Sequence, residues 1–397
     1  MTVRQSLLAI HGGPKTIDHD LAPYQAHGAE EVAAGLRVLE SGMLSGFVAG
    51  ELDGGPMVQE FEHEWARTFH FPYAVAMNSA TSGLIAALSA VQTRPGDEVI
   101  VSPWTMSATA AAVLAWGAKP IFCDIEAETF GLDPESLKRM ISARTRAVIV
   151  SDIFGHAARV DDLIDVAEGI PVIEDAAQSP YAMTTGARFA GTVGNIGVFS
   201  LNRHKHIHTG EGGVCVTADP RLDERLRLIR NHGESIGNTK SRWGSNSDLW
   251  GYNFRLGEIE AAIGTEQLNK LPMLADGRTI VGSRLKFELA PLDGVFVPVT
   301  RQDCSHVFYM FALKANPKLI SRDKVLKALR AEGVPANAGY QLIHHLPAFR
   351  SSQVCPVAEY FQETVITLET CAYEFAPEDT QLTGEAFRKV WDNLDRI

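Results

Sequence analysis

The run Gly197-Val198-Phe199-Ser200-Leu201-Asn202-Arg203-His204-Lys205-His206-Ile207-His208-Thr209-Gly210-Glu211-Gly212-Gly213 decides the reading of this chain. It sets one lysine between an apolar strand-like stretch and a glycine-rich turn. A lysine amine becomes a nucleophile towards a carbonyl when burial or a cationic neighbour lowers its pKa. Arg203, His204 and His206 stand close enough in sequence to supply such a field. Gly210, Gly212 and Gly213 let the backbone turn where a Cβ would collide with a ligand. Taken alone, the segment also fits a plain hairpin with an exposed lysine.

On either side of this run, from about residue 70 to 220, short β-rich stretches alternate with helical ones. The strand candidates are Tyr73–Met77, Glu98–Ser102, Pro120–Asp124, Ala147–Asp152, Pro171–Asp175, Gly197–Leu201 and Gly213–Thr217. The stretches Ser82–Val91, Ser107–Trp116, Asp133–Ile141 and Asp161–Glu168 read as helices. Several strands are apolar at consecutive positions, as expected where both faces of a sheet are covered. The expected fold is therefore α/β, with a large domain (26–269) built on a mostly parallel seven-stranded sheet between helices. A helix over Glu258–Leu271 leads into a smaller α+β domain (270–397), and residues 1–25 form an arm. Ligands of such sheets collect at the carboxyl ends of the strands, where Trp104, Asp175 and Lys205 all fall.

Composition narrows the class. The 397 residues are 45% hydrophobic and 21% charged, an ordinary balance for a soluble enzyme. A net charge of −12 argues against a nucleic-acid partner. Cys123, Cys215, Cys304, Cys355 and Cys371 are odd in number and lack CxxC spacing, so they read as reduced thiols. No apolar run reaches membrane-spanning length and the start carries no signal-peptide pattern, so a cytoplasmic protein without a membrane partner is expected.

Three further segments carry chemistry. Asn78-Ser79-Ala80-Thr81-Ser82-Gly83 lies between a strand and an apolar helix. Amides and hydroxyls of Thr81 and Ser82 at a helix start suit a phosphate, although a simple N-cap has the same composition. Val172-Ile173-Glu174-Asp175-Ala176-Ala177-Gln178 ends a buried strand in a carboxylate, which is costly unless paired. A protonated heterocyclic nitrogen would pair with it, and Gln178 would reach a neighbouring ring oxygen; a helix-capping Asp175 is the plain alternative. Trp104 offers a flat face for stacking, or simple packing. A phosphate cradle, a stacking ring, an acid for a ring nitrogen and a Schiff-base lysine together match the needs of pyridoxal 5′-phosphate.

In this order the segments resemble the fold-type-I aminotransferases of the DegT/StrS type, which make amino sugars and aminocyclitols. The resemblance extends over Gln59–Glu62, Asn78–Leu84, 117–120, Glu174–Gln178, Phe199–Gly213, Gly251–Arg255 and Tyr340–Pro347. It implies Lys205 as the Schiff-base lysine, Asp175 as the partner of the pyridine nitrogen and Gln178 as the contact to the ring hydroxyl. It further implies Trp104 as the stacking residue and Thr81, Ser82 and Ser200 as the phosphate cradle. Asn253 would reach the phosphate of the neighbouring subunit, giving a homodimer with shared sites, and Tyr340 and His344 would lie towards substrate. The implied reaction is ping-pong transfer of an amino group from glutamate or glutamine to a nucleotide-linked ketosugar. A keto-cyclitol is the alternative acceptor. Relatives that act as sugar dehydratases carry histidine in place of the lysine, so Lys205 disfavours that activity. Ala80, His206, His208 and Leu342 depart from the usual pattern. The spacing His204-x-His206-x-His208 is explained by the lysine and the glycine turn, so no metal is expected there.

Overall fold

The structure is a computed structural model that describes residues 7–47, 53–233, 249–318, 321–349 and 351–397. Residues 1–6 of the expected arm lie outside the described residues. Helices α1 (Ala29–Ser41) and α2 (Pro56–Thr68) precede the sheet. Its strands and helices then alternate: β1 (Tyr73–Met77), α3 (Ala80–Ala90), β2 (Glu98–Val101), α4 (Ser107–Leu114), β3 (Lys119–Phe122), α5 (Pro134–Met140), β4 (Thr145–Ser151), α6 (Val160–Ala167) and β5 (Val172–Asp175). A short hairpin of β6 (Met183–Thr184) and β7 (Arg188–Phe189) leads to β8 (Ile196–Ser200), β9 (Gly213–Thr217) and α7 (Pro220–Arg230).

The seven strands lie in the order β1-β9-β8-β5-β4-β2-β3. Neighbours from β8 through β5, β4 and β2 to β3 are parallel, and β9 runs against both β8 and β1. The expected fold class is thus the observed one. Alternate residues of each strand feed opposite layers, because successive side chains in a strand point to opposite faces. Val99 and Val101 join the core under α3 and α4, whereas Ile100, Val148 and Val150 join the core under α5 and α6. Nearly all of these side chains are fully buried, each worth about 1.5–3 kcal/mol of transfer free energy. Two-sided burial is why the strands read as continuous apolar runs.

The expected helix at Glu258–Leu271 continues as α8 (Glu258–Leu289), with Pro272 inside it. Its first half packs on α1 and α2 and its second half on α11 (Pro377–Trp391). Tertiary packing on both halves outweighs the backbone hydrogen bond that proline removes. Gly282 presses this helix onto Phe308: a Cβ there would lie 2.3 Å from the ring's Cγ. The remaining elements are β10 (Val295–Phe296), β11 (Phe311–Ala315), α9 (Arg322–Ala331), β12 (Ala336–Asn337), α10 (Pro356–Gln362) and β13 (Val365–Leu368). Their strands form an antiparallel sheet in the order β10-β11-β13-β12. Leu8 and Ile17 of the N-terminal segment are buried in the core of this region.

Candidate active site

Asp175 is the last residue of β5, and Lys205 sits in the loop after β8, the next strand in the sheet. The topology alone therefore brings both to the carboxyl edge. The lysine loop is tightly closed: Arg203 N–H donates to Gly210 O at 3.0 Å and Thr209 N–H to Leu201 O at 3.0 Å. Gly210 turns it with φ of +85°, a conformation that favours glycine. Gly213 lies against the start of α3, where a Cβ would come within 2.5 Å of Ala80 N. Only glycine allows the lysine loop and the Asn78–Ser82 turn to meet this closely.

Asp175 is buried, and burial pushes its carboxyl above the usual range. Opposing this, the Thr109 hydroxyl donates to Asp175 Oδ2 at 2.7 Å, the Lys205 charge attracts it, and Ala177 N–H donates to Oδ1 at 3.3 Å. Burial brings the Lys205 ammonium down to about 8, against the pull of Asp175. Lys205 Nζ lies 4.2 Å from the centroid of the Tyr309 ring. The cause differs from the cationic field expected from the flanking residues. His206 is fully buried, its Nε2 lies 2.8 Å from Val307 O, and burial lowers its pKa to about 4, so it is neutral. His204 is exposed.

A cavity of about 710 Å³ opens beside Tyr309, lined also by Tyr24, Met106, His204, His208 and Tyr340. Tyr309 and Tyr340 hydrogen-bond through their side chains, and burial raises the Tyr340 hydroxyl to about 12. Both phenols stay neutral and donate or accept hydrogen bonds without carrying charge.

The other expected residues divide. Ser79, not Ser82, caps α3: the Ser82 N–H donates to Ser79 Oγ at 3.0 Å, and the Ser82 hydroxyl donates to Asn78 Oδ1 at 2.6 Å. Thr81 is exposed beside it, and Ser200 ends β8 next to the lysine loop. Gln178 Oε1 accepts from Phe154 N–H at 2.9 Å, which leaves the NH2 as the free donor end. Asn253 lies beside the same turn of its own chain, where its carbonyl accepts from Asn78 Nδ2 at 3.3 Å and its Oδ1 from Arg255 Nε at 2.9 Å.

Two expectations need correction. Trp104 has no free face: it is fully buried, with Phe130 and Phe154 edge-on and Phe361 stacked at 6.4 Å. Its indole N–H donates to Tyr340 O at 2.9 Å. The apolar side chain that reaches the cavity from this segment is Met106, 55% exposed at the start of α4. His344 does not line the cavity with Tyr340; it is buried against Phe122. Sequence reasoning missed Thr109, Met106 and Tyr309. Thr109 and Met106 belong to the helix that opens after the carboxyl end of β2, and that position was the available signal.

Residues 38–388 match the DegT/DnrJ/EryC1/StrS aminotransferase family. The chain belongs to this family. It is 34% identical over 383 residues to the dTDP-3-amino-3,4,6-trideoxy-alpha-D-glucose transaminase of Streptomyces venezuelae, covering 94% of this chain and 96% of that protein. It is also 34% identical over 315 residues to the spore coat polysaccharide biosynthesis protein SpsC of Bacillus subtilis (strain 168), covering 77% and 78%. Among solved structures, DesI in the presence of its TDP-sugar product superposes with a TM-score of 0.85 at 29% identity, covering 97% of this chain and 96% of that one. The protein is an aminotransferase of the fold-type-I architecture. Among the described residues no helix is long and apolar enough to cross a membrane.

Proposed function

We propose that this aminotransferase uses pyridoxal 5′-phosphate to move an amino group from glutamate or glutamine to a nucleotide-linked ketosugar. The observation that carries the cofactor reading is the pair formed by Asp175, buried and fixed by Thr109, and Lys205, whose amine burial brings to about 8. A buried carboxylate of this kind suits a protonated pyridine nitrogen, and the α3 start across from Gly213 suits a phosphate. When bound, the cofactor's ring accepts the electron pair left on a substrate carbon that has lost its proton. Asp175 holds the proton on the ring nitrogen. Lys205 Nζ would remove the proton from the substrate carbon as base and, as acid, return it to the carbon on the far side of the connecting nitrogen. Gln178 would offer its NH2 to the ring oxygen, and Met106, exposed at the cavity, would give the ring an apolar contact.

The sugar reading rests on likeness to the dTDP-sugar transaminase and to DesI with its TDP-sugar product. Incubation with 15N-glutamate and a panel of nucleotide-linked ketosugars, free ketosugars and inososes tests it. Label in a nucleotide-linked amino sugar is the expected result. Transfer only to an inosose would establish the cyclitol alternative.

We further infer a homodimer with shared sites. Val32, Leu36 and Leu39 form an exposed apolar stripe on α1, opposite the side that packs on α8, and such a stripe is suited to burial on association. The family resemblance is what supports placing Asn253 at the partner's phosphate, since within its own chain it already sits beside the Asn78 turn. Mixing Lys205→Ala and Asn253→Ala chains puts both lesions in one composite site and leaves the other intact, so activity should partly recover. Mixed dimers without recovery would place Asn253 in its own chain's site.

A further inference from the structure

The cavity beside Lys205 accounts for Tyr340 but not for the two histidines that follow it. His344 and His345 lie in a single 3-10 turn, Ile343–His345, anchored where Ile343 N–H donates to Pro103 O at 2.9 Å. His344 is 1% exposed, yet neither of its ring nitrogens has a hydrogen-bond partner. Buried polar groups in folded proteins are almost always satisfied. The group facing it is Glu359 on α10, whose Oε1 lies 3.5 Å from His344 Nε2 and 3.7 Å from His345 Nε2.

Those separations are long for hydrogen bonds. They are close to the ~3.4 Å between neighbouring ligand atoms around a tetrahedral ion with bonds of ~2.0–2.1 Å. One ligand atom from each of the three side chains falls within a 4.8 Å cluster. The His345 side chain is 55% exposed, so its ring is free to swing towards the other two. A cavity of about 500 Å³ lined by His345, Glu359, Gln362 and Glu363 reaches the cluster from solvent. It gives an ion a way in and leaves room for a water as fourth ligand.

We propose that His344, His345 and Glu359 bind one divalent cation of the zinc class. Two imidazoles and one carboxylate favour such a borderline ion over magnesium or calcium, which prefer oxygen ligands. The ion clamps the Ile343–His345 turn to α10. That turn continues from Tyr340, whose carbonyl accepts the Trp104 indole, so the clamp steadies one wall of the active-site cavity. None of its ligands is assigned to the cofactor, and the role is structural.

The test uses the pyridoxal-phosphate-loaded enzyme, stripped with a chelator, desalted and titrated with zinc chloride by calorimetry. One equivalent per chain should bind with micromolar or tighter affinity and raise Tm, whereas magnesium chloride should do neither. His345→Ala and Glu359→Gln, both at the solvent side of the cluster, should each weaken zinc binding about tenfold or more while keeping the zinc-free Tm of the parent. These variants are preferred to changes at buried His344, which threaten folding. Absence of binding, or binding undiminished in both variants, would overturn the proposal.

Discussion

The Thr109 hydroxyl donates to Asp175 Oδ2 at 2.7 Å, joining the first turns of α4 to the end of β5 across 66 residues of sequence. This bond works against the burial that pushes the Asp175 carboxyl up. Hydrogen bonds to a charged group contribute about 1.5–3 kcal/mol. Thr109→Val should therefore lower kcat by roughly tenfold to a hundredfold. Asp175 acts as the anion, so a further rise in its pKa should move the acid limb of the kcat–pH profile to higher pH. Thr109→Ser should restore both; an unshifted profile in Thr109→Val would refute the coupling.

On the proposed function Lys205 would react as the neutral amine, and burial brings its pKa to about 8. The rate at which cofactor-free enzyme takes up pyridoxal phosphate should rise with pH and level off just above 8. An unperturbed lysine would keep rising towards pH ~10.4. Borohydride reduction and peptide mapping of the loaded enzyme should place the label on Lys205, and Lys205→Ala should abolish turnover.

Trp104 and Met106 should separate cleanly. Trp104 is fully buried among aromatic rings, so Trp104→Ala should cost about 3–5 kcal/mol in urea unfolding. Met106 is largely exposed at the cavity. Met106→Ala should leave Tm nearly unchanged and weaken cofactor or substrate binding, read as a rise in Kd or KM. A larger stability loss at Met106 than at Trp104 would reverse the assignment.

Burial holds the pKa values of His206 and His156 at about 4 in the folded protein, against ~6.5 unfolded. The unfolded chain therefore binds more protons between these values. Stability is full above pH ~6.5 and falls as pH drops towards 4, at up to about 1.4 kcal/mol per pH unit for each group. His206→Gln keeps a donor for Val307 O and removes the titration. Its unfolding free energy should be flatter between pH 6.5 and 5; an unchanged slope would show that His206 is protonated in the fold.

The sheet was legible in the sequence because strands covered on both faces must be apolar at successive positions, and β1 and β9 begin and end as expected. Asp175 and Lys205 were legible because each ends or follows such a strand. Thr109 and Tyr309 were not, since their link to the site exists only after distant segments meet. Trp104 and Met106 are two residues apart in a turn entering a helix, and composition does not say which one faces the cavity. His344 read as a pocket residue from its motif, but the 3-10 turn points it into the protein. Proline at 272 reads locally as a helix stop, and packing on α8 from both sides overrules it.

Gly282 has no methyl to spare, and its cost of change would be felt at a distance. Phe308, the ring it rests on, precedes Tyr309, the ring beneath the Lys205 amine. A Gly282→Ala chain would push its new carbon into Phe308 and carry that displacement along one peptide unit to the lysine. Gly282 on α8 thus acts as a remote adjustment screw for the Lys205 amine, through Phe308 and Tyr309 and without touching it.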